Sequence, residues 1–388
     1  MNLFIVPSWY PSASNPSYGI FIQEQVAMMS RLRPDWKIGV STWGQGDSEK
    51  LIWVKDHIKN FGKISRHGYD KASLKKTDGI VEYYQPALSW TKRFRKGNLR
   101  EIIRCNELNY QGYTLEHGKP DVIVVQACYP GALIGDYLSK KYDVPVHLHV
   151  RLGGFMFEKM ILELGTMRRD LLDSISRFKL ITTTSNFHRG EVEKWIPESK
   201  VLYNPVDTTF FSPAKTRDDF VLAIGRLEPE KGFELLLEAI HKVDGVNIKI
   251  IGSGSKEPRL RSKIKELKLE SKVELLGEKS REEVRNYLQR CQFLVLPSHY
   301  ETFGNVLLEA MACGRPVVST KCGGPNEIIS DEVGFLSSVD ADDLADKIKA
   351  MRDRLSTFPE SIIRKKAEDL YSPDVWIGKL ESLLKEMS

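Results

Sequence analysis

The sequence predicts an α/β protein made of two domains. Its 388 residues exceed what a single hydrophobic core of ordinary size would hold. Short apolar runs typical of buried strands alternate with stretches of helical periodicity along most of the chain. Polar loops containing glycine follow several of these runs, which is where parallel α/β sheets bind their ligands.

The N-terminal half opens with a buried strand over Leu3–Val6. A turn-rich loop over residues 7–18 follows, and Gly19 leads into a helical pattern from Phe21. Gly19 therefore lies between a strand and a helix. It either contacts a ligand or is a simple turn glycine. Residues 131–142 form a crossover helix that completes a βαβ unit. Further strands are predicted over residues 37–42, 79–84, 120–125, 144–150 and 180–184.

Three polar residues alternate at the end of one of these strands. His147, His149 and Arg151 share a face, because side chains alternate along a strand. A His-x-His pair could hold a metal ion, but no third ligand is evident in the sequence. We therefore predict no metal site there.

A basic run interleaved with aromatic residues lies near residue 90. Its cations are Lys92, Arg93, Arg95 and Lys96. Such a run can lie on anionic lipid headgroups, where each cation contributes roughly 1 kcal/mol near the surface. It can equally be the solvated face of a helix, and the sequence leaves both interpretations open.

The C-terminal half continues the alternation of strands and loops. The loop Gly225–Gly232 contains Arg226 and Lys231, and Gly277-Glu278 ends another strand. Gly252-Ser253-Gly254 suggests a dinucleotide-binding loop, but Glu257 stands where the third glycine of that fingerprint would be. Strands are predicted over residues 220–224, 247–251, 272–276, 293–296 and 316–319.

The most informative stretch is 294–330. A polar loop with Glu301 leads to a helix from about Asn305, so Phe303, Gly304 and Asn305 would offer backbone N–H groups to a phosphate. The helix dipole favours an anion at this position. Glu301 and Glu309 are separated by seven residues and could reach the same ligand. Alternatively, both carboxylates merely decorate an exposed helix face.

This stretch reads PS-x2-E-x-F-G-x3-L-E-A-M-A-C-G-x-P-V-V and closely resembles the signature of the retaining GT-B glycosyltransferases of the GT4 family, the group 1 glycosyl transferases. Residues 225–232 are similar to the family's G-R-L-x3-K-G motif. Asn204-Pro205-Val206-Asp207 is similar to its Asn-Gly-Val-Asp linker, with Pro205 in place of glycine. The resemblance implies two Rossmann-like domains facing each other across a cleft. The first would cover residues 1–203 and bind the acceptor. The second would cover 204–370 and bind a nucleotide-sugar, and a helix over 371–388 would return to the first.

The resemblance also implies the reaction. A hexose-type sugar would pass from a nucleotide diphosphate, UDP in preference to GDP, to a glycan or lipid-linked acceptor in surface polysaccharide, lipopolysaccharide or glycoconjugate synthesis. The anomeric configuration would be retained and no metal or other cofactor would be needed. Two alternatives are a sugar-nucleotide epimerase or hydrolase of the same fold, and a non-catalytic subunit that binds nucleotide-sugars.

Site residues follow from the same resemblance. Arg226 and Lys231 would converge on the leaving diphosphate and stabilise its developing charge. Glu309 would bind ribose and Glu301 the sugar. Many relatives end the N-terminal strand with a histidine, and either Arg151 or His149 would take that catalytic position. The donor-binding residues would be Gly19, Arg226, Lys231, Gly252, Gly277, Glu278, Glu301, Phe303, Gly304, Asn305, Val306 and Glu309.

Composition and the length of the apolar runs indicate which partners and which compartment the sequence favours. A net charge of +5 does not by itself imply that the protein binds nucleic acid. The five cysteines contain no CxxC pair and suggest no disulfide framework. No apolar run approaches the ~20 residues that span a bilayer, and the N-terminus lacks the pattern of a signal peptide. The sequence predicts a cytoplasmic protein, with a peripheral position on the inner face of the cell membrane left open by the basic run.

Overall fold

A computed structural model describes residues 1–12, 15, 18–45, 73–87, 95–163 and 167–387. The chain divides into two compact units. The first unit comprises Met1–Thr184, Arg189–Leu202 and Ile377–Ser388, and the second comprises Ser185–His188 and Tyr203–Trp376. Each unit is an α/β layer structure around its own sheet.

The first unit contains an eight-stranded sheet in the order β3-β4-β2-β1-β5-β6-β7-β8. Every described pairing is parallel except that of β3 with β4. The strands are β1 Asn2–Pro7, β2 Lys37–Thr42, β3 Ser73–Thr77, β4 Ile80–Tyr84, β5 Val122–Gln126, β6 Val146–His149, β7 Leu180–Thr183 and β8 Lys200–Val201. The helices are α1 Ile20–Leu32, α2 Arg95–His117, α3 Gly131–Tyr142, α4 Gly154–Glu163, α5 Met167–Ile175 and α6 Asn186–Val192, whose first turn belongs to the second unit.

The central strands of this sheet are buried along nearly their whole length. All five residues of β5 are buried, as are the last five of β1. Parallel strands covered on both faces read as continuous apolar runs, which is why their sequence pattern was clear. Gly39 on β2 is required by packing, since a Cβ there would lie 2.3 Å from the ring of Tyr113.

The second unit contains a six-stranded parallel sheet in the order β11-β10-β9-β12-β13-β14. The strands are β9 Val221–Ile224, β10 Ile248–Ile251, β11 Val273–Gly277, β12 Leu294–Leu296, β13 Val317–Thr320 and β14 Gly334–Ser337. The helices are α7 Phe233–His241, α8 Glu257–Glu266, α9 Arg281–Arg290, α10 Asn305–Ala312, α11 Pro325–Ile328, α12 Ala341–Asp353, α13 Glu360–Tyr371 and α14 Pro373–Lys385, which runs from this unit into the first.

The division differs from the expected boundaries in three segments. Tyr203 belongs to the second unit because its ring stacks on Phe303, with centroids 5.4 Å apart. Ser185–His188 also belongs there, because the carboxylate of Glu327 accepts hydrogen bonds from the backbone N–H groups of Asn186 and Phe187 at 3.0 and 2.6 Å. The last helix joins the first unit only from Ile377, since Pro373–Trp376 stays with the second.

Membrane-spanning helices, the basic run and the cysteines complete the description of the structure. Among the described residues, no helix is both long and apolar enough to cross a membrane. Of the basic run predicted from the sequence, Lys92 and Arg93 lie outside the described residues. Arg95 and Lys96 lie in the first turn of α2, and the structure describes only their backbone. All five cysteines are within the described part of the chain, as buried free thiols.

Candidate functional site

The order of strands in the second sheet defines where a ligand can bind. The chain starts in the middle with β9, moves outward through β10 and β11, then returns to β12 beside β9 and continues through β13 and β14 on the other side. This reversal between β9 and β12 is a topological switch point, where open α/β sheets form a crevice beyond the carboxyl ends of their strands. The two loops that flank it are 225–232 and 297–304.

These two loops are in direct contact. Gly232 has a φ of +65°, and a Cβ there would lie 2.0 Å from the carbonyl oxygen of Pro297. The backbone N–H of His299 donates to the carbonyl of Glu230 at 2.8 Å. Only glycine satisfies both the positive φ and the close approach at position 232. The contact fixes the position of Lys231, the residue just before it.

Lys231 and Glu301 form an ion pair across the switch point. Nζ of Lys231 lies 2.5 Å from Oε1 of Glu301, and the same oxygen accepts from Oγ of Ser298 at 3.0 Å. The two side chains retain 20% and 12% of their exposure, so the pair is largely desolvated yet reachable. Two predicted site residues that are 70 positions apart in the chain thus come together.

The backbone around Glu301 is held by the loop that follows β13. The N–H of Glu301 donates to the carbonyl of Cys322, and the N–H of Gly324 donates to the carbonyl of Glu301, both at 2.9 Å. A Cβ on Gly323 would lie 2.3 Å from the ring of Phe187, and one on Gly324 would lie 2.3 Å from Cα of Phe303. The glycine pair is therefore needed for close packing, and it positions the Glu301 loop rigidly.

Helix α10 begins directly after this loop. Gly304 has a φ of +100° and ends the loop, while Phe303 is buried against Tyr203. Oδ1 of Asn305 accepts a hydrogen bond from Nδ2 of Asn204 at 2.9 Å, which ties the helix start to the linker motif. Val306 is half-buried. The predicted helix start is thus present, and phosphate binding by its N–H groups stays a prediction.

Glu309 lies on the second turn of α10 and has a partner that the sequence did not suggest. Nη1 of Arg281 donates to its Oε1 at 2.9 Å, and the Glu309 side chain is 12% exposed. Arg281 is the first residue of α9, directly after Ser280, which forms a reciprocal capping box with Glu283. The Ser-x-x-Glu pattern over 280–283 could have located this helix start.

Arg226 and Lys231 pair with different carboxylates in the structure. Arg226 is 71% exposed and pairs with Glu230 at 2.7 Å, whereas Lys231 pairs with Glu301. Glu230, four residues on, is within reach of the Arg226 guanidinium. A joint contact of Arg226 and Lys231 with a diphosphate stays a prediction.

The loop after β10 supports the loop after β9. Gly252 has a φ of +145°, and a Cβ there would lie 1.9 Å from the carbonyl oxygen of Gly225. The N–H of Leu227 donates to the carbonyl of Ser253 at 2.8 Å, and Glu278 accepts from Oγ of Ser253 at 3.4 Å. Gly252 is therefore required by backbone packing. At Gly277, where φ is +71°, the space that a Cβ would occupy is open.

A pocket of about 280 Å³ lies beside loop 225–232. It does not include Glu301 or Glu309, so it is adjacent to the switch-point site and separate from it. Sequence patterns gave no sign of it. Its lining consists of Leu227, Glu228, Pro229, Gly232, Phe233, Glu234, Lys256, Leu260 and His299.

In the first unit, the switch point lies between β1 and β5. Gly19 precedes α1 with a φ of +73°, and a Cβ there would lie 2.6 Å from the backbone of Trp9. The positive φ and the close approach of the Trp9 backbone together require glycine at this position, without any ligand. A contact between the Gly19 loop and donor phosphates stays a prediction.

Arg151 is buried at the same edge of the first sheet. Its Nε and Nη2 donate to Oε1 of Gln126 at 3.0 and 2.7 Å, and Nη2 also donates to Oε1 of Gln25 at 2.6 Å. The guanidinium lies 4.9 Å from the centroid of the Phe21 ring. Burial lowers the pKa of Arg151 to about 9. The amide oxygens fix a cation in a poorly solvated position.

The two histidines of β6 share one partner. Nε2 of His147 and Nδ1 of His149 lie 2.8 and 2.6 Å from Oγ1 of Thr182. Burial lowers the pKa of His147 to about 3, so this ring is neutral at physiological pH. Within the described part of the chain, no group of three or more His, Cys, Asp or Glu side chains could hold a metal ion.

Comparison with known proteins agrees with this geometry. The family model described as glycosyl transferases group 1 matches residues 206–365. An uncharacterised glycosyltransferase of Methanocaldococcus jannaschii is 30% identical over 289 residues, which is 72% of this chain and 77% of that protein. The chain belongs to the group 1 glycosyltransferases.

Further relatives and solved structures are similar to this glycosyltransferase. A Campylobacter jejuni N-acetylgalactosamine-N,N'-diacetylbacillosaminyl-diphospho-undecaprenol 4-alpha-N-acetylgalactosaminyltransferase is 31% identical over 66% of this chain and 67% of its own. Among solved structures, sucrose-phosphate synthase from Thermosynechococcus elongatus covers 100% of both chains at a TM-score of 0.76 and 16% identity. Anabaena HepE in complex with UDP-glucose covers 100% of both chains at a TM-score of 0.71 and 19% identity. The fold is thus that of the GT-B glycosyltransferases, as the sequence predicted.

Proposed function

We propose that this group 1 glycosyltransferase moves a hexose-type sugar from a nucleotide diphosphate to a glycan or lipid-linked acceptor, with retention at the anomeric carbon. The observation that carries the proposal is the Lys231–Glu301 pair at the switch point of the second sheet. It places a cation and a carboxylate within one ligand's reach, beside the start of α10. A diphosphate and the sugar attached to it need such a pair of neighbouring contacts.

The diphosphate would take Lys231 from Glu301. As the bond between the anomeric carbon and the diphosphate oxygen breaks, the leaving group gains negative charge, and a fixed cation stabilises that charge selectively. Arg226 would join it after leaving Glu230, and the N–H groups of Phe303, Gly304 and Asn305 would complete the anion contact. Glu301, released from Lys231, would accept hydrogen bonds from the sugar. Glu309 would accept them from ribose.

Retention follows if the acceptor oxygen attacks on the face that the diphosphate leaves. The acceptor's proton then passes to an oxygen of the departing diphosphate while the new bond to the anomeric carbon forms. No carboxylate pair of the kind that retaining glycosidases use is required. The cations Lys231 and Arg226 would perform the charge stabilisation that a metal ion performs elsewhere.

The first unit would bind the acceptor. Arg151 and His149 are the candidates for the catalytic contact from this unit, and the buried guanidinium of Arg151 is held by Gln126 and Gln25. The Campylobacter relative acts on an undecaprenol-linked substrate by its name, which supports a lipid-linked acceptor. The HepE complex supports UDP over GDP as the nucleotide. We propose a cytoplasmic reaction, and the liposome test of the basic run decides whether it takes place on the inner face of the membrane.

A panel of UDP- and GDP-sugars, followed by proton NMR with and without EDTA, tests the proposal. We expect slow hydrolysis of one donor in EDTA, with the released sugar first appearing in the donor's anomeric configuration. An epimerised nucleotide-sugar would instead favour the epimerase alternative, and binding without turnover would favour a non-catalytic subunit. Activity lost in EDTA and restored by Mn²⁺ would contradict the metal-independent mechanism.

A further inference from the structure

Arg281 is a residue that neither the family motif nor its spacing suggested, and it touches one of the two motif carboxylates. Its Nη1 donates to Oε1 of Glu309 at 2.9 Å. Glu309 is 12% exposed, so its carboxylate is mostly removed from water and depends on protein partners. The pair lies wholly within the second unit.

The position of Arg281 is fixed from two directions. Its backbone begins α9, and the capping box of Ser280 and Glu283 holds that turn through bonds of 3.2 and 2.9 Å. Its guanidinium lies 5.0 Å from the ring centroid of Phe211, which is buried. A planar guanidinium held on an aromatic ring loses little freedom when it also binds a carboxylate. The arrangement is therefore preorganised.

We infer that Arg281 is a positioning residue that orients Glu309 toward the ribose hydroxyls of the donor nucleotide. Because Arg281 binds Oε1, the second oxygen, Oε2, is left to accept from ribose. This inference rests on the proposed function, in which Glu309 binds ribose.

The inference makes a prediction that depends on the ribose hydroxyls. Arg281→Met keeps an unbranched apolar side chain against Phe211 and removes the hydrogen bond to Glu309. Binding of UDP should then weaken about tenfold, which is about 1.4 kcal/mol, because Glu309 loses the hydrogen bond that orients it toward ribose. Binding of 2',3'-dideoxy-UDP should change less than about twofold, because that ligand has no hydroxyls for Glu309 to accept from.

Calorimetric titration of the full-length protein measures both ligands, with GDP and 2',3'-dideoxy-GDP run in parallel. Arg285→Met is the matched control, because Arg285 lies on the same helix over the neighbouring ring of Phe210, at 4.7 Å. It should leave all four affinities unchanged. Arg281→Lys keeps a cation and should recover part of the lost UDP affinity. Thermal unfolding of each variant establishes that the fold is intact.

The outcomes separate this inference from the function on which it rests. Wild-type protein that binds neither UDP nor GDP would overturn the proposed function. Wild-type protein that binds UDP and its dideoxy analogue equally would overturn the ribose contact of Glu309, and the inference with it. Equal losses on both ligands in Arg281→Met, or tighter UDP binding in that variant, would overturn the role of Arg281 alone.

Discussion

Replacing Glu301 by glutamine should make the protein bind a nucleoside diphosphate more tightly while transferring sugar less well. In the free protein Glu301 holds Lys231 at 2.5 Å, so a diphosphate must displace the carboxylate before it can use this cation. Glutamine keeps the size of the side chain and can still accept from Ser298. It removes the charge that competes for Lys231 and the charge that repels the diphosphate.

The size of the effect follows from the exposure of the pair. At 20% and 12% exposure, Lys231 and Glu301 interact more strongly than a surface ion pair, whose value is about 0–1 kcal/mol. In the wild-type protein the diphosphate replaces Glu301 as the charged partner of Lys231, which offsets part of the free energy lost when the Lys231–Glu301 pair breaks. We expect a net gain of about 1 kcal/mol, which corresponds to an increase of about fivefold in affinity for UDP.

Calorimetric titration with UDP and GDP at low ionic strength measures this change, and donor turnover measures the accompanying loss. Ser298→Ala is the control, because it removes the 3.0 Å hydrogen bond to the same oxygen and keeps the charge. It should alter UDP affinity by less than about twofold, because Glu301 keeps the charge that competes with the diphosphate for Lys231. Weaker UDP binding by Glu301→Gln would refute the displacement of Glu301 by the diphosphate.

Three further predictions concern stability and location. His147 has a pKa of 6.5 in the unfolded chain and of about 3 in the folded protein, so the unfolded state binds the proton first as the pH falls. The free energy of unfolding should therefore decrease below about pH 6, by about 1.4 kcal/mol per pH unit more in the wild-type protein than in His147→Gln. Urea unfolding at pH 4–7 measures this difference. A parallel fall in both proteins would contradict this. Gly232→Ala should lower the free energy of unfolding, measured in urea, by about 3 kcal/mol or more. The control Gly245→Ala should lower it by only about 1 kcal/mol, because Gly245 has a similar φ of +66° but a Cβ there would meet only the end of the Arg352 side chain, at 3.4 Å. Equal costs would mean that the approach to Pro297 is unimportant. Glutamate at Lys92, Arg93, Arg95 and Lys96 should abolish sedimentation with anionic liposomes and leave donor hydrolysis unchanged, whereas wild-type protein that ignores such liposomes would leave only a solvated helix face.

The sequence predicted the parts of the fold that depend on burial along one segment. The central strands were clear because parallel strands covered on both faces are continuously apolar. The crossover helix over 131–142 has the predicted ends. By contrast, β3 was missed, because all five of its residues are exposed at the edge of the sheet and no pattern of alternation arises.

Sequence motifs nominated the candidate site residues but did not show the contacts between them. Lys231 contacts Glu301 because β9 and β12 are neighbours in the sheet. The apolar periodicity of a segment predicts a strand but not the order of strands in the sheet. The pairing of Arg226 with Glu230 needed only a reach of four residues, but nothing in the sequence shows which carboxylate an exposed guanidinium will choose. Arg281 was overlooked for a similar reason, since 28 residues separate it from Glu309.

The kinetics of donor turnover by Lys231→Ala and Glu309→Gln test the placement of the donor most directly. Lys231 should meet a diphosphate whose charge grows in the transition state, so its loss should lower kcat by a factor on the order of 10²–10³. Glu309 should meet ribose hydroxyls whose charge barely changes, so its variant should raise KM and leave kcat near the wild-type value. Circular dichroism establishes that both variants are folded. The reverse pattern, with Glu309 governing kcat and Lys231 only KM, would contradict the placement of the donor at this switch point.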